Sequence, residues 1–331
     1  MKRVFYFLSL LLIFSCESKK IAEEKKQEMT RKQAVSVNQV DSNRFLLVLN
    51  PEIGKEYVFV SKMNQKILQK IDTLSTETNV DQTIFYSLKS IHKDSNLYRF
   101  RVKFMDIEQN ITSPMISIRT STRKKTQEPT PLDVFYNTLK GKTFDFTIGK
   151  YGENLNLIGV DSLLGNIIEE MMNKKEFKGV DRSLLKQLIG NFFNQKELQK
   201  SFEKLFEIYP NKRIEIGDSW KIEKHLSEPV PANIVNNFNL KSLRGDSLFI
   251  DLSSDVKFEK TKSKENEPQV KELVGRQSGE LIVSKVSGML LNGRLNQQIK
   301  MVHQIPPSMQ TNNKALTLVT NINSNFILSL K

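Results

Sequence analysis

The sequence is poor in the residues that build disulfide-bonded or metal-bound frameworks. Its 331 residues contain one cysteine and three histidines. A single cysteine excludes an intramolecular disulfide framework and a zinc site made of several cysteines. Three scattered histidines leave little for a histidine-rich metal site. We therefore expect neither a metal nor another cofactor.

Long apolar runs and nucleotide-binding motifs are also missing. No stretch after residue 16 approaches the roughly 18 apolar residues that a membrane-spanning helix requires. The glycine patterns of Rossmann and P-loop proteins and the acidic spacing of a calcium loop are absent. Hydrophobic residues make up 38% of the chain, which indicates a globular protein rather than a disordered one.

The N-terminus has the pattern of a secretory signal. Two basic residues precede an apolar run over residues 4–14, which is too short to remain as a membrane-spanning anchor. The run is followed by Ser15 and then by Cys16, the single cysteine. Residues 1–15 are therefore predicted to be a signal peptide that is cleaved between Ser15 and Cys16.

The sequence IFSC at residues 13–16 resembles the bacterial lipobox. The resemblance implies that Cys16 receives a diacylglyceryl group and an N-terminal acyl chain, and two or more chains anchor a protein stably. The alternative is a free cysteine after an ordinary signal, but a lone thiol is a liability in an oxidising compartment. We expect a lipoprotein of the bacterial outer membrane, on its periplasmic or surface face, with residues 16–44 as a flexible polar tether.

Residues 45–331 are predicted to form one globular, β-rich α+β domain in three parts. Alternating apolar and polar residues indicate strands over 45–131 and again over 210–331. Between them, residues 132–209 contain a hairpin and then helices, whose apolar residues recur every three or four positions.

Two of these helices have recognisable start signals. Asp161 is expected to cap one helix, and Asn194 with Glu197 three residues later has the arrangement of a capping box. The first helix carries the pair Met171 and Met172. We interpret this pair as core packing, although methionine also suits a flexible lipid pocket.

The two β-rich parts share two motifs in the same order. Residues 53–57 (IGKEY) correspond to residues 216–220 (IGDSW), and residues 86–91 (YSLKSI) correspond to residues 238–243 (FNLKSL). A polar turn and an alternating strand follow each second motif. We therefore predict duplicated antiparallel units that flank the helices, as two sheets or as two halves of one curved sheet.

The junction between the helices and the second β-rich part carries a family resemblance. Residues 206–212 (FEIYPNK) continue to the IGDSW motif, and this junction is similar to the signature of an uncharacterised bacterial lipoprotein family. The resemblance spans roughly residues 45–305. It implies a lipobox signal, a β-rich first half and central helices, and it supplies no catalytic residue.

One motif suggests catalysis. Residues 245–248 (GDSL) match the signature of a class of serine esterases, in which a histidine three residues after an aspartate acts as the base. Here Ser247 lies late in the chain between two predicted strands, and His303 has no aspartate at that spacing. A turn explains the motif better, so an esterase is disfavoured and we expect no enzyme.

The net charge is basic, with 50 Lys and Arg against 37 Asp and Glu. Removal of Lys2 and Arg3 with the signal leaves 48 basic against 37 acidic side chains, or +11. Anionic lipid headgroups, acidic glycans and simple solubility each explain this excess, and an exported protein meets little nucleic acid.

We expect a non-enzymatic binding or envelope-interaction protein, attached to the membrane by its lipid anchor, with an apolar or acidic ligand of the envelope and no nucleic-acid partner. One alternative is a periplasmic carrier of lipid or another apolar ligand, held between sheet and helices. Another is an assembly partner without a cavity. A continuous apolar cavity distinguishes the carrier.

Overall fold

The computed structural model describes residues 44–124, 127–190, 193–226, 230–259, 268–307 and 314–331. Strand accounts for 57% of the residues and helix for 17%, which confirms the β-rich α+β class. Among the described residues there is no helix that is both long and apolar enough to cross a membrane.

The strands are numbered in chain order. They are β1 (Phe45–Leu46), β2 (Glu56–Ile71), β3 (Leu74–Asp94), β4 (Leu97–Thr112), β5 (Ser117–Ser121), β6 (Thr143–Gly149), β7 (Asn156–Ile158), β8 (Arg213–Ile214), β9 (Ser219–Leu226), β10 (Ala232–Arg244), β11 (Ser247–Phe258), β12 (Gln269–Ser284), β13 (Leu290–Ile305) and β14 (Leu316–Leu330).

Within the described part of the chain, twelve of these strands form one antiparallel sheet. The order is β7-β6-β4-β3-β2-β14-β13-β12-β11-β10-β9, and β5 pairs with β4 away from this path. The last strand, β14, lies between β2 and β13 and joins the two β-rich parts into a single sheet. Of the two arrangements left open by the sequence, the structure therefore has the single curved sheet.

The curvature of the sheet follows from hydrogen bonds at one of its ends. Strands β6 and β13 are five strand positions apart, which is about 24 Å in a flat sheet. Yet the neighbouring residues Leu49 and Asn50 donate their backbone N–H groups to Lys150 O (2.7 Å), after β6, and to Ser287 O (2.8 Å), before β13. The turns can meet in this way only if the sheet bends round.

The predicted duplication is present, with its second motif displaced by two residues. Gly54 and Gly217 both have positive φ and donate to strand residues, Gly54 N to Ser90 O and Gly217 N to Leu240 O. A bulge follows each acceptor, between Ser90 and His92 on β3 and between Leu240 and Ser242 on β10. Ser90 therefore corresponds to Leu240 rather than to Ser242. Side chains alternate between the two faces of a strand, so a displacement of two residues keeps each side chain on the same face. The sequence match is therefore compatible with the alternation even though it is displaced.

The described helices are α1 (Pro131–Leu139), α2 (Val160–Met172), α3 (Arg182–Gly190) and α4 (Gln195–Phe206). The cap predicted for α4 is confirmed, because Asn194 Oδ1 accepts from Glu197 N at 2.9 Å. The cap predicted at Asp161 is wrong. Gly159, with φ 84°, occupies the N-cap of α2, and Asp161 lies in its first turn.

Helix α4 packs on the concave side of the sheet through aromatic side chains. Phe202 contacts the rings of Tyr86, Phe144 and Phe146 with centroids 5.5–6.0 Å apart. Phe206 contacts Phe146 in turn, at 5.7 Å. These rings belong to a large hydrophobic core at the helical end of the sheet, and a second, smaller core that includes Ile67 and Ile299 lies toward the other end.

Candidate functional site

The concave face of the sheet is made of aligned rows of inward-facing residues, one row for every second residue along the strands. Two rows lie toward the helical end and one toward the opposite end. The first row comprises Leu240, Ile250, Leu281, Gly293, Leu328 and Ser61; the second comprises Phe238, Leu252, Gly279, Leu295, Phe326 and Met63; the one at the opposite end comprises Ile234, Val256, Gly275, Ile299, Ile322 and Ile67.

Three glycines interrupt the apolar side chains of these rows. Gly275, Gly279 and Gly293 occupy inward positions of β12 and β13, where neighbouring strands carry Val, Leu or Ile. A cavity of about 410 Å³ lies between this face and α4, and two of these glycines, Gly275 and Gly293, line it. Its walls come from β2, β3 and β9–β14, with α4 across it.

A row of polar side chains crosses the cavity between the apolar rows. We call this row the polar belt; its members are Asn236, Ser254, Gln277, Gln297, Ser324 and Gln65, on six consecutive strands from β10 to β2. Each member is directly paired with the next in the strand register. The apolar rows on either side are two residues away, or about 7 Å.

Hydrogen bonds within the polar belt join the two members at each of its ends and do not involve the two members at its centre. Ser254 Oγ donates to Asn236 Oδ1 at 2.6 Å, and Gln65 Nε2 donates to Ser324 Oγ at 3.0 Å. The facing side chains of Gln277 and Gln297 form no hydrogen bond with any described residue.

The carbonyl oxygen of Gln65 is unpaired as well. Gln65 is 7% exposed, and its Oε1 has no hydrogen-bond partner among the described residues. A buried polar atom without a partner is costly, because it has lost its hydrogen bonds to water. The polar belt therefore offers an acceptor and two amides to whatever occupies the cavity.

One wall of the cavity is charged. Lys200 Nζ lies 3.1 Å from Glu197 Oε1 on α4, and Lys224 of β9 forms an ion pair with Glu207. Lys204, one turn after Lys200, has no ion-pair or hydrogen-bond partner among the described residues.

The environment of Lys204 disfavours its positive charge. Burial among protein atoms lowers the pKa of Lys204 to about 8, and the positive charge of Lys224 contributes to this shift. Lys204 is nevertheless exposed to solvent, and it is also one of the residues that line the cavity. An anion beside Lys204 would offset the repulsion from its basic neighbours.

A second depression, of about 760 Å³, lies on the outer face of β9–β12. Its side chains include outward-facing residues such as Lys221, Asn239 and Asp251, and Lys241 at its edge is paired with Asp251 at 2.7 Å. We place the candidate site in the inner cavity because that cavity is more enclosed than the outer depression, is mainly apolar and contains polar groups that have no partner among the described residues.

The residues singled out by the sequence do not build this site. Ser15 and Cys16 lie outside the described residues. Met171 is 1% exposed in the core and, like Met172, does not line the cavity.

The structure does not bring Ser247 and His303 together. Ser247 begins β11 and pairs with Ser284 at one end of β12, whereas His303 pairs with Val270 near the other end. The fourteen residues between these pairings correspond to about 46 Å of strand. The GDSL motif is a turn, in which Asp246 Oδ2 accepts from Ser284 Oγ at 2.7 Å.

The polar belt was missed by the sequence reasoning, although it leaves a signal. On β11, for example, Leu252, Ser254 and Val256 are consecutive inward positions, so one polar residue interrupts an apolar alternation. Similar interruptions occur on the neighbouring strands. Only the strand register shows that they align.

The family model for DUF6263, a family of unknown function, matches residues 95–290. The chain belongs to this family. Its membership bears out the expectation of an uncharacterised family. No curated protein matches the chain.

Two solved structures are distantly similar to this DUF6263 protein. One is a structure of lipovitellin that concerns its lipid–protein interactions. It is 7% identical to this chain, the match covers 85% of this chain and 25% of that chain, and the TM-score is 0.43. The chain thus spans a quarter of the length of lipovitellin. The other, OpdQ of Pseudomonas aeruginosa, is 7% identical over 84% of this chain and 99% of that chain, with a TM-score of 0.21. Neither similarity is close enough to indicate a function.

Proposed function

We propose that this protein is a non-enzymatic, membrane-anchored binding protein that holds an amphipathic ligand, an apolar chain with an acidic head, in its inner cavity. The observation that carries this proposal is the partly enclosed cavity between the concave face and α4. Its volume of about 410 Å³ lies in the range of roughly 300–1,000 Å³ typical of small-molecule sites. Of the alternatives that the sequence leaves open, the cavity favours the carrier over an assembly partner without a cavity.

The apolar rows support a chain-like ligand. They extend on both sides of the polar belt, so that an elongated apolar molecule has contacts along its length. Removal of such a chain from water is favoured by about 0.8 kcal/mol per methylene group.

The charged wall supports an acidic head. Lys204 lines the cavity and forms no ion pair with a described residue, whereas Lys200 and Lys224 are each paired with a glutamate. A ligand carboxylate or phosphate at Lys204 would form a charge-assisted hydrogen bond, which is stronger than a neutral one.

Matched substitutions test the cavity. Ser254 faces the cavity and Ser253, its neighbour on the same strand, faces outward. The fluorescent fatty acid cis-parinaric acid should bind the wild type, with its fluorescence enhanced. Ser254→Phe fills the cavity and should weaken binding at least tenfold, whereas Ser253→Phe should bind normally. Equal binding by the two folded variants, or no binding by the wild type, would refute the proposal.

The pH dependence of binding tests the acidic head. Affinity for cis-parinarate should fall as the pH rises through about 8, because the cationic form of Lys204 is lost there. Lys204→Gln should weaken binding at pH 7 and remove this fall, while Lys62→Gln, an outward-facing control on β2, should retain both. A pH profile that is identical in wild type and Lys204→Gln would exclude Lys204 as the partner of the head.

The anchoring is a separate proposal and is tested at Cys16. We propose that the chain is held at the outer membrane by lipid on Cys16. Labelled palmitate should be incorporated by cells that produce the wild type and not by cells that produce Cys16→Ala. Labelling that persists in the variant would contradict the lipid anchor and leave the cavity unaffected.

A further inference from the structure

We infer that the polar belt selects ligands that carry a hydrogen-bond donor, a hydroxyl or an amide N–H, part-way along the apolar chain. This inference rests on the proposed function, since it concerns the ligand of the same cavity. It adds a chemical feature that neither the size of the cavity nor its charged wall requires.

The alignment of the polar belt argues for a common role. Polar residues occupy the same inward register on β10, β11, β12, β13, β14 and β2. Scattered polar residues on a concave face would not form a continuous row, and a continuous row presents hydrogen-bonding groups at one depth of the cavity.

The pairing of the polar belt argues against a purely structural role. A structural row would satisfy its own members, as Ser254 and Asn236 do. Gln277 and Gln297 instead face the cavity with no hydrogen-bond partner in the described part of the chain, and Gln65 Oε1 is a buried acceptor with no donor there. Groups of this kind are costly in an apolar surrounding until a ligand or water pairs with them.

The rows that flank the polar belt define the surroundings of the donor. Residues such as Leu295 lie on one side of Gln297 along β13, and Ile299 lies on the other. A ligand that places its donor at the polar belt therefore needs an apolar segment of about 7 Å on each side of that donor. A hydroxylated acyl chain or an internal amide fits this description, and a plain saturated chain leaves the polar belt unpaired.

Competition with cis-parinaric acid tests the inference. Stearic acid should be compared with a series of monohydroxystearic acids in which the hydroxyl moves along the chain. At least one mid-chain isomer should displace the probe at a roughly five- to tenfold lower concentration than stearic acid does, a factor that corresponds to one net hydrogen bond. A site with unpaired polar groups rejects a ligand that cannot pair with them.

The chain supplies a matched control for this assay. Gln297 faces the cavity, and its neighbour Gln298 faces outward on the same strand. Gln297→Leu should weaken the preference for the hydroxylated isomer over stearic acid, and combining it with Gln65→Leu and Gln277→Leu should abolish that preference. The thermal stability of Gln297→Leu should be unchanged or higher, because an unpaired amide has been removed. Gln298→Leu should keep the preference.

The outcomes distinguish the role of the polar belt from the proposed binding function of the cavity. Displacement by stearic acid and by every hydroxylated isomer at the same concentration would overturn the role of the polar belt and leave the binding function standing. A preference that survives when Gln65, Gln277 and Gln297 are all replaced by leucine would also overturn it. Failure of every acid to displace the probe, or of the probe to bind, would reject the proposed function itself.

Discussion

Truncation of Phe202 to alanine tests whether α4 is docked on the sheet as the wall of the cavity. Phe202 is 6% exposed and contacts three aromatic rings of β3 and β6. Truncations of buried phenylalanines cost about 3–5 kcal/mol, and each aromatic pair contributes about 0.5–1.5 kcal/mol to such a total. Because Phe202 already borders a cavity, part of its surroundings is not closely packed. We therefore expect a loss near the lower end, about 3 kcal/mol.

The assay for this prediction is equilibrium unfolding in urea. The midpoint of Phe202→Ala should decrease relative to wild type, with a similar slope if α4 stays folded with the domain. Leu184→Ala on α3 is the control, since Leu184 is 50% exposed and should cost less than about 1 kcal/mol. A loss below 1 kcal/mol for Phe202→Ala would mean that α4 does not depend on these contacts, and the wall of the cavity would be in doubt.

Two further predictions concern the frame around the cavity. Trp220→Phe should lower the free energy of unfolding in urea by about 2 kcal/mol. The substitution removes the hydrogen bond from Trp220 Nε1 to Ile208 O (3.1 Å) and leaves that buried carbonyl without this donor. An unchanged unfolding midpoint would contradict this role of Trp220. Burial alone would raise the pKa of Asp145, but hydrogen bonds from Arg101 and Arg99 outweigh it and hold the pKa below its usual value. The stabilisation from Asp145 should therefore be present above about pH 4 and disappear as the pH falls below that range. Asp145→Asn should cost about 2 kcal/mol at pH 7, and the wild-type and variant midpoints should converge as the pH falls further below about 4. A difference between the midpoints that stays constant with pH would refute this.

Much of the fold could be predicted because its signals are local. Alternation identified strands such as β4, and the capping pair of Asn194 and Glu197 identified the start of α4. The glycine motifs revealed the duplication, since Gly54 and Gly217 adopt the positive φ that glycine favours. The position of β14 between the two halves depends on contacts far apart in the chain, so local pattern could not decide between one sheet and two.

The candidate site could not be predicted for a related reason. Ser254, Gln277 and Gln297 are ordinary polar residues on separate strands, and they form a row only because of the strand register. Register depends on the pairing of whole strands and on bulges such as the one after Leu240. Lys204 likewise resembles any surface lysine of an amphipathic helix until α4 is placed against β9. Neither the row nor the charged wall has a sequence motif.

The most direct test of the cavity as a binding site is native mass spectrometry of the full chain purified without added lipid, compared with the Ser254→Phe and Ser253→Phe variants. Wild type and Ser253→Phe should carry the same additional mass of a few hundred daltons, which denaturation releases, and Ser254→Phe should lack it. Fragmentation of the released molecule should identify an acidic chain with an internal hydroxyl or amide. All three folded proteins could instead have the mass of the bare chain, both before and after incubation with cis-parinaric acid. That result would contradict the inner cavity as a binding site.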